Sequence, residues 1–177
     1  MEAAGKIIKY WDGMFDASYR NHAYSFMSKS MFKIGWQDSF AIETSNNQYL
    51  HSEYSNEDMD RLGMLQKLDN SEAQSMLEGY LLTRSVVNLS VPSDVHWNHT
   101  HRGQRILLYY ANISWNHEWA GETVFYDEDC YEITKAISYK PGRLVLFDGD
   151  IPHAIRPQSS AAPHYRFTLS MIFDKSL

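Results

Sequence analysis

The chain holds one cysteine in 177 residues, so Cys130 has no partner for an internal disulfide. That absence points to a reducing, intracellular setting, and a cytoplasmic location is the expectation. Basic residues are also scarce, with 16 Lys and Arg against 22 Asp and Glu, a formal net charge of -6. This argues against a dedicated nucleic-acid binder, which is usually basic. No run of about 18 apolar residues occurs, so no membrane-spanning helix is expected. The first residues lack an apolar stretch with a basic flank, so no signal peptide is read there. No internal repeat, low-complexity tract or linker divides the chain, and a single domain over residues 1–177 is expected. What is abundant is aromatic character, at 14%, which favours strands and a lined cavity.

The two parts of the chain carry different patterns. Asp16 is placed to cap a helix from about Ala17 to Lys29, where Tyr19, Ala23, Phe26 and Met27 recur at helical spacing. A second helix is predicted from Glu57 to Leu68, capped by Ser55 or Asn56, and a shorter one from Ser71 to Gly79. Beyond these, strands are predicted at Leu81–Leu89, Arg105–Asn112, Glu122–Tyr126, Arg143–Phe147 and Tyr165–Phe173. Turn signals separate them, among them Pro92-Ser93-Asp94, Pro141-Gly142 and Asp148-Gly149-Asp150. Helices followed by many short strands predict an α+β fold, with a jelly-roll core over 81–177 and mainly helical support over 1–80.

Within the strand region stands His99-Thr100-His101. Residues i and i+2 of a strand face the same way, so both imidazoles can serve one divalent metal. Pro141-Gly142 opens an apolar strand to Phe147, and a tight turn then delivers His153 as a third ligand. Imidazole suits iron, zinc, copper and nickel. His22, His51, His117 and His164 are read as surface or satisfied core groups.

From about Leu81 to Asp174 the chain resembles the iron(II)- and 2-oxoglutarate-dependent oxygenases, and most of all their prolyl 4-hydroxylase-like branch. Four segments in order carry the resemblance: Tyr109-Tyr110-Ala111-Asn112 with Trp115; Ala120-Gly121-Glu122-Thr123-Val124-Phe125; Pro141-Gly142 to Phe147 with His153; and Arg166-Phe167-Thr168-Leu169-Ser170. The resemblance implies a double-stranded β-helix core, Fe(II) as metal and 2-oxoglutarate as co-substrate. It implies that Arg166 binds the far carboxylate of 2-oxoglutarate, with Tyr110 and Ser170 assisting. Guanidinium suits that task because it pairs with carboxylate through two parallel hydrogen bonds. Ser170 lies four residues past Arg166, on the same strand face, and Tyr109 is expected to point away from the site. The implied reaction consumes O2 and 2-oxoglutarate, hydroxylates a C–H bond, and releases succinate and CO2. The substrate is expected to be a prolyl residue, an amino acid or a small metabolite, and neither nucleic acid nor membrane is expected as a partner.

The chain departs from the family at one ligand. The family presents His-x-Asp or His-x-Glu, whereas an imidazole, His101, stands in the carboxylate's place. Three neutral ligands weaken Fe(II) binding somewhat and raise the potential of the iron. Three readings stay open: His101 is a ligand, Glu122 or Asp150 completes the site, or the position is left to water or an anion. A cupin-type metal enzyme with three histidines is an alternative, and so is a non-catalytic barrel that binds a metal or small ligand. The cupin reading lacks its glutamate, since Gln104 and Arg105 follow the histidine pair. Arg84 and Asn88 are read as possible substrate contacts, Trp97, Trp115 and Trp119 as surrounding the mouth, and Arg105 and Arg156 as solvated. The segments Gln48–Asn56 and Asp127–Ser138 are expected to shape the pocket.

Overall fold

Alternation along two long strands decides the architecture. In β5 (Gln104–Tyr110), Leu107 and Tyr109 face one way and Ile106, Leu108 and Tyr110 the other, and all five are buried. In β10 (Arg166–Lys175), Phe167, Leu169, Met171 and Phe173 share the first face. A sheet buried on both sides needs a layer against each. The computed structural model supplies both, and describes residues 6–36, 49–92, 94 and 96–176.

The remaining described strands are β1 (Ile8–Trp11), β2 (Lys33–Trp36), β3 (Tyr49–Tyr54), β4 (Tyr80–Ser90), β6 (Thr123–Tyr126), β7 (Ile133–Ile137), β8 (Leu144–Asp148) and β9 (His153–Ile155). They form a seven-stranded sheet in the order β1-β8-β5-β10-β4-β3-β2 and a three-stranded sheet in the order β7-β6-β9. Every ladder is antiparallel. One face of the large sheet packs on the N-terminal helices through Tyr19, Ala23, Met27, Met59 and Leu62. The other turns toward the small sheet through Ile106, Leu108, Tyr110, Val145 and Phe147, which meet Phe125 and Ile137. This is the expected double-stranded β-helix with helical support. Tyr109 belongs to the helix-side core and Tyr110 to the barrel interior, as the alternation requires.

Capping chemistry sets the helix boundaries. α1 spans Ala17–Ser28, and Asp16 Oδ1 accepts from the Tyr19 amide at 2.7 Å. α2 covers only Asn56–Leu62, between a Ser55–Asp58 capping box and Gly63 at φ 67°. That left-handed glycine stops the helix expected to reach Leu68, leaving a short 3₁₀ turn at Gln66–Leu68. α3 is a single turn, Glu72–Ser75, rather than a helix to Gly79. The N-terminal part is also less helical than expected. β1 extends one edge of the large sheet by pairing with β8, and β3 and β2 extend the other. The Gln48–Asn56 segment expected as a loop contains β3, with Gln48 outside the described residues, and Asp127–Ser138 contains β7. Ser93 of the Pro92–Asp94 turn also lies outside the described residues.

Candidate metal centre

His99 and His101 do not lie on a strand. They sit in the connection before β5, where one isolated bridge holds His99 against the first residue of β9. The His99 amide donates to His153 O at 3.0 Å, and the His153 amide returns the bond to His99 O at 3.1 Å. Two backbone bonds thus place two of the three imidazoles side by side. The third is held by the turn after β8, where the His101 amide donates to Gly149 O at 2.7 Å and the Gly149 amide to Gln104 O at 2.8 Å. That approach is possible only for glycine, since a Cβ at position 149 meets His101 O at 2.3 Å.

The rings converge. Their centroids are 5.0 Å apart for His99 and His101, 4.5 Å for His99 and His153, and 5.4 Å for His101 and His153. One nitrogen from each ring lies within 4.8 Å of the others. Nδ1 of His153 lies 2.8 Å from Ile151 O, and Nδ1 of His99 lies 3.1 Å from Trp97 O. A proton on each Nδ1 satisfies these carbonyls and leaves the Nε2 lone pair for a metal. Burial, and then the neighbouring His99 and His101, hold the His153 imidazolium well below its ordinary range. The ring is therefore neutral, as a ligand must be.

Among the described residues no carboxylate joins this group. Asp150 Oδ1 instead accepts from the Gly103 amide at 3.2 Å, and the Glu122 carboxylate acts electrostatically on Arg166. Three nitrogen donors suit Fe(II) among the first-row divalent ions.

A cavity of about 470 Å³ opens beside the imidazoles. Ser170 and Thr123 stand in its wall, with Ile106, Leu108, Phe147 and Ile155. Arg166 and Tyr110 do not. They lie one layer deeper, where the Tyr110 hydroxyl donates to Thr123 Oγ1 at 2.7 Å. Arg166 is fully buried, and its Nε and Nη2 donate to Gly121 O at 3.2 and 2.8 Å. Its guanidinium carbon stands 4.5 Å from the centre of the Tyr139 ring, a cation–π contact. Burial lowers the Arg166 pKa and raises those of Tyr110 and Tyr139. Gly121, at φ +89°, makes room for this arrangement, because a Cβ there meets Arg166 Nε at 3.1 Å and Trp115 at 3.2 Å.

The deep layer holds polar groups in need of a ligand. Arg166 Nη1, Thr168 Oγ1 and Ser90 Oγ are buried without a hydrogen-bond partner. Ser90 pairs with Arg166 across the ladder, and Thr168 pairs with Tyr110, so these side chains share the barrel-facing side. Leaving such donors unmade costs roughly 1–3 kcal/mol each. A carboxylate oxygen is the acceptor that Arg166 Nη1 lacks, which fits 2-oxoglutarate.

Sequence reasoning missed Tyr139, Thr168, Ser90 and Gly149. Alternation from Arg166 points to Thr168, but no local signal marks the others. Trp115 and Trp119 contact each other at 5.5 Å, with Trp115 against Tyr139 at 4.4 Å, beside Arg166 rather than beside the three imidazoles. Arg105 is not solvated: it pairs with Asp148 at 3.2 Å, bonds Met76 O and covers the Tyr80 ring.

Residues 88–174 match the family model of the 2OG-Fe(II) oxygenase superfamily, so the resemblance read from the sequence holds over this segment, just under half of the chain. Solved structures share the fold. A prolyl hydroxylase from Trichoplax adhaerens, in complex with a hypoxia inducible factor peptide fragment, is 17% identical with a TM-score of 0.62, over 95% of this chain and 83% of that one. A Pseudomonas putida prolyl-4-hydroxylase is 14% identical with a TM-score of 0.64, over 98% and 95%. HygX from Streptomyces hygroscopicus, with nickel and 2-oxoglutarate bound, is 8% identical with a TM-score of 0.69, over 96% and 83%. Among curated proteins none matches the chain.

Proposed function

We propose that this chain, whose barrel segment matches the 2OG-Fe(II) oxygenase superfamily, is an Fe(II)- and 2-oxoglutarate-dependent dioxygenase that hydroxylates a C–H bond. The observation that carries the reading is the convergence of His99, His101 and His153 at a cavity, with a fully buried arginine one layer behind its wall that keeps an unmade hydrogen bond. The balanced reaction is substrate C–H, O2 and 2-oxoglutarate to C–OH, succinate and CO2. Bound Fe(II) supplies activation of O2, coupled to decarboxylation of the oxo acid.

The protein's part is holding and excluding. His99, His101 and His153 are the residues that hold the metal, each presenting a neutral ring nitrogen. Arg166 would hold the far carboxylate of 2-oxoglutarate, with Thr168 as a further donor, Tyr110 joining it only by turning its hydroxyl from Thr123, and Ser170 in the wall. Burial strengthens each of these hydrogen bonds by removing competing water. The apolar wall of Ile106, Leu108, Phe147 and Ile155 keeps the reacting region dry. The substrate class is a prolyl residue, a free amino acid or a small metabolite. A cupin-type site has less support, because Gln104 and Arg105, where its glutamate belongs, bond Asp174 and Asp148.

Anaerobic loading with Fe(II), then addition of 2-oxoglutarate, tests the proposal through the visible metal-to-ligand charge-transfer band. Appearance of the band in the unmodified protein and its loss in Arg166→Ala is the expected result. Metal binding with no band in the unmodified protein refutes the co-substrate. His101→Ala is expected to weaken Fe(II) binding strongly while His101→Asp retains it. Unchanged binding in His101→Ala rules out the three-imidazole centre.

A further inference from the structure

Arg166 is a fully buried cation, and among the described residues its hydrogen bonds go to one acceptor, Gly121 O, while the Glu122 carboxylate acts on it electrostatically. A buried charge needs compensation. Here an aromatic face supplies part of it. The Tyr139 ring centre stands 4.5 Å from the guanidinium carbon and the Tyr110 ring centre 5.7 Å. A carboxylate partner takes up N–H donors, whereas a ring face attracts the charge and takes none. Gly121 O uses Nε and Nη2, the Tyr139 ring covers a face, and Nη1 is left without a partner.

We infer that Tyr139 is a positioning residue for co-substrate binding: its ring, lying on the guanidinium of Arg166, holds Nη1 in place for the far carboxylate of 2-oxoglutarate. The inference rests on the oxygenase reading above. Tyr139 is itself firmly placed. It precedes a Pro141-Gly142 turn closed by the Arg143 amide on Lys140 O at 3.0 Å, with Gly142 at φ +80°. Two bonds pin that turn to Tyr110, from the Gly142 amide to Tyr110 O at 2.9 Å and from the Tyr110 amide to Arg143 O at 3.0 Å. The Tyr139 ring accordingly stacks on Tyr110, with centroids 4.5 Å apart and planes 18° from parallel, and Trp115 lies 4.4 Å away. The Tyr139 hydroxyl meets two acceptors, Asn112 Oδ1 at 2.6 Å and Phe167 O at 2.7 Å, and accepts from the Asn112 amide at 3.1 Å. Asn112 in turn grips the backbone on both sides of Arg166. Its Nδ2 donates to Tyr165 O at 3.0 Å, and its Oδ1 accepts from the Phe167 amide at 2.8 Å. One connected network thus fixes the backbone of Arg166 and the face of its guanidinium. Neither Tyr139 nor Asn112 stands in the cavity wall with the imidazoles, so the network bears on the arginine and not on the metal ligands.

The test uses the full chain loaded with Fe(II) without O2, with calorimetry as the readout and 2-oxoglutarate and oxalate as probes. Oxalate chelates a metal through both carboxylates and leaves none over for Arg166. Tyr139→Leu removes the ring and is expected to weaken 2-oxoglutarate at least about tenfold, the size of a lost charge-assisted contact. Its Kd values for Fe(II) and for oxalate are expected to stay within about twofold of the unmodified protein's. Tyr139→Phe keeps the ring and loses the hydroxyl, so it is expected to melt lower and yet to hold 2-oxoglutarate within about threefold. A purely structural role gives a different pattern, in which Fe(II), oxalate and 2-oxoglutarate weaken together and follow the melting temperature. Thermal melting checks that each variant is folded, and Tyr139→Met takes the place of Tyr139→Leu if that chain does not fold. An unchanged Kd for 2-oxoglutarate in the ringless variant, an equal loss for oxalate, or a loss in Tyr139→Phe as large as in Tyr139→Leu overturns the inference. Failure of the underlying oxygenase reading shows on a separate signal, the lack of 2-oxoglutarate binding by the unmodified protein, and the inference falls with it.

Discussion

At the scale of single residues, Gly149 carries more of the candidate metal centre than its lack of a side chain suggests. Its Cα packs against the His101 backbone, and an added methyl reaches 2.3 Å from His101 O and 2.8 Å from His101 Cβ. The substituted chain has to push the histidine away. Overpacking of this kind costs about 1–3 kcal/mol. Gly149→Ala is therefore expected to melt several degrees lower and to bind Fe(II) at least tenfold more weakly, as read by metal titration. Affinity equal to the unmodified protein's shows that the turn does not position His101. The imidazoles themselves were legible in the sequence, because an i, i+2 pair and a histidine after a strand–turn carry a local pattern. The partner that locks them was not, since the closeness of Gly149 to His101 exists only after β8 and the histidine segment are brought together. Tyr139 was hidden for the same reason, its contact with Arg166 being made across the barrel.

At the scale of elements, short-range chemistry was readable and long-range pairing was not. Asp16 and Ser55 announce helix starts through side chains that cap within three residues, and both do so. The strand interiors of β4, β5, β8 and β10 follow from alternation and apolar runs. β1, β2 and β3 carry no such run: β1 and β2 are the edges of the large sheet and β3 lies next to one, and their register comes from the strands they join. The connection holding His99 and His101 looked like a strand because an extended backbone also sends i and i+2 the same way; a single bridge to β9 suffices. Removing the cap at Asp16 tests how separate the layers are. Asp16→Ala is expected to cost about 1 kcal/mol, seen in denaturant unfolding. Its Fe(II) affinity is expected to stay unchanged, because α1 packs on the sheet face opposite the imidazoles. A matching fall in metal affinity contradicts that separation.

At the scale of the whole molecule, the buried tyrosines tie stability to alkaline pH. Burial pushes Tyr54 and Tyr109 up to about 12 from the ordinary 10.0 and raises Tyr19, Tyr110 and Tyr139 as well. The folded state therefore keeps its phenol protons longer than the unfolded chain does. The stability this provides is complete below pH 10 and is lost as pH rises through the folded values, about 12 for Tyr54 and Tyr109. The melting temperature is expected to fall between those limits, with ionisation of the buried tyrosines appearing together with unfolding. Ionisation of Tyr54 or Tyr109 itself near pH 10, read by residue-resolved NMR in a protein that stays folded, refutes the shift.

The bridge between His99 and His153 also has a consequence in time. A ribosome adds about 5–20 residues per second. His153 is made 54 positions after His99, so a growing chain offers only His99 and His101 for on the order of 3–10 s. Two imidazoles without their strand partner make an exchangeable site. The third arrives with β9, and Arg166 follows later still, at the start of the last described strand. On the proposed assignment, the order of synthesis delays tight metal capture until the barrel can close, and places the proposed co-substrate anchor after the three imidazoles.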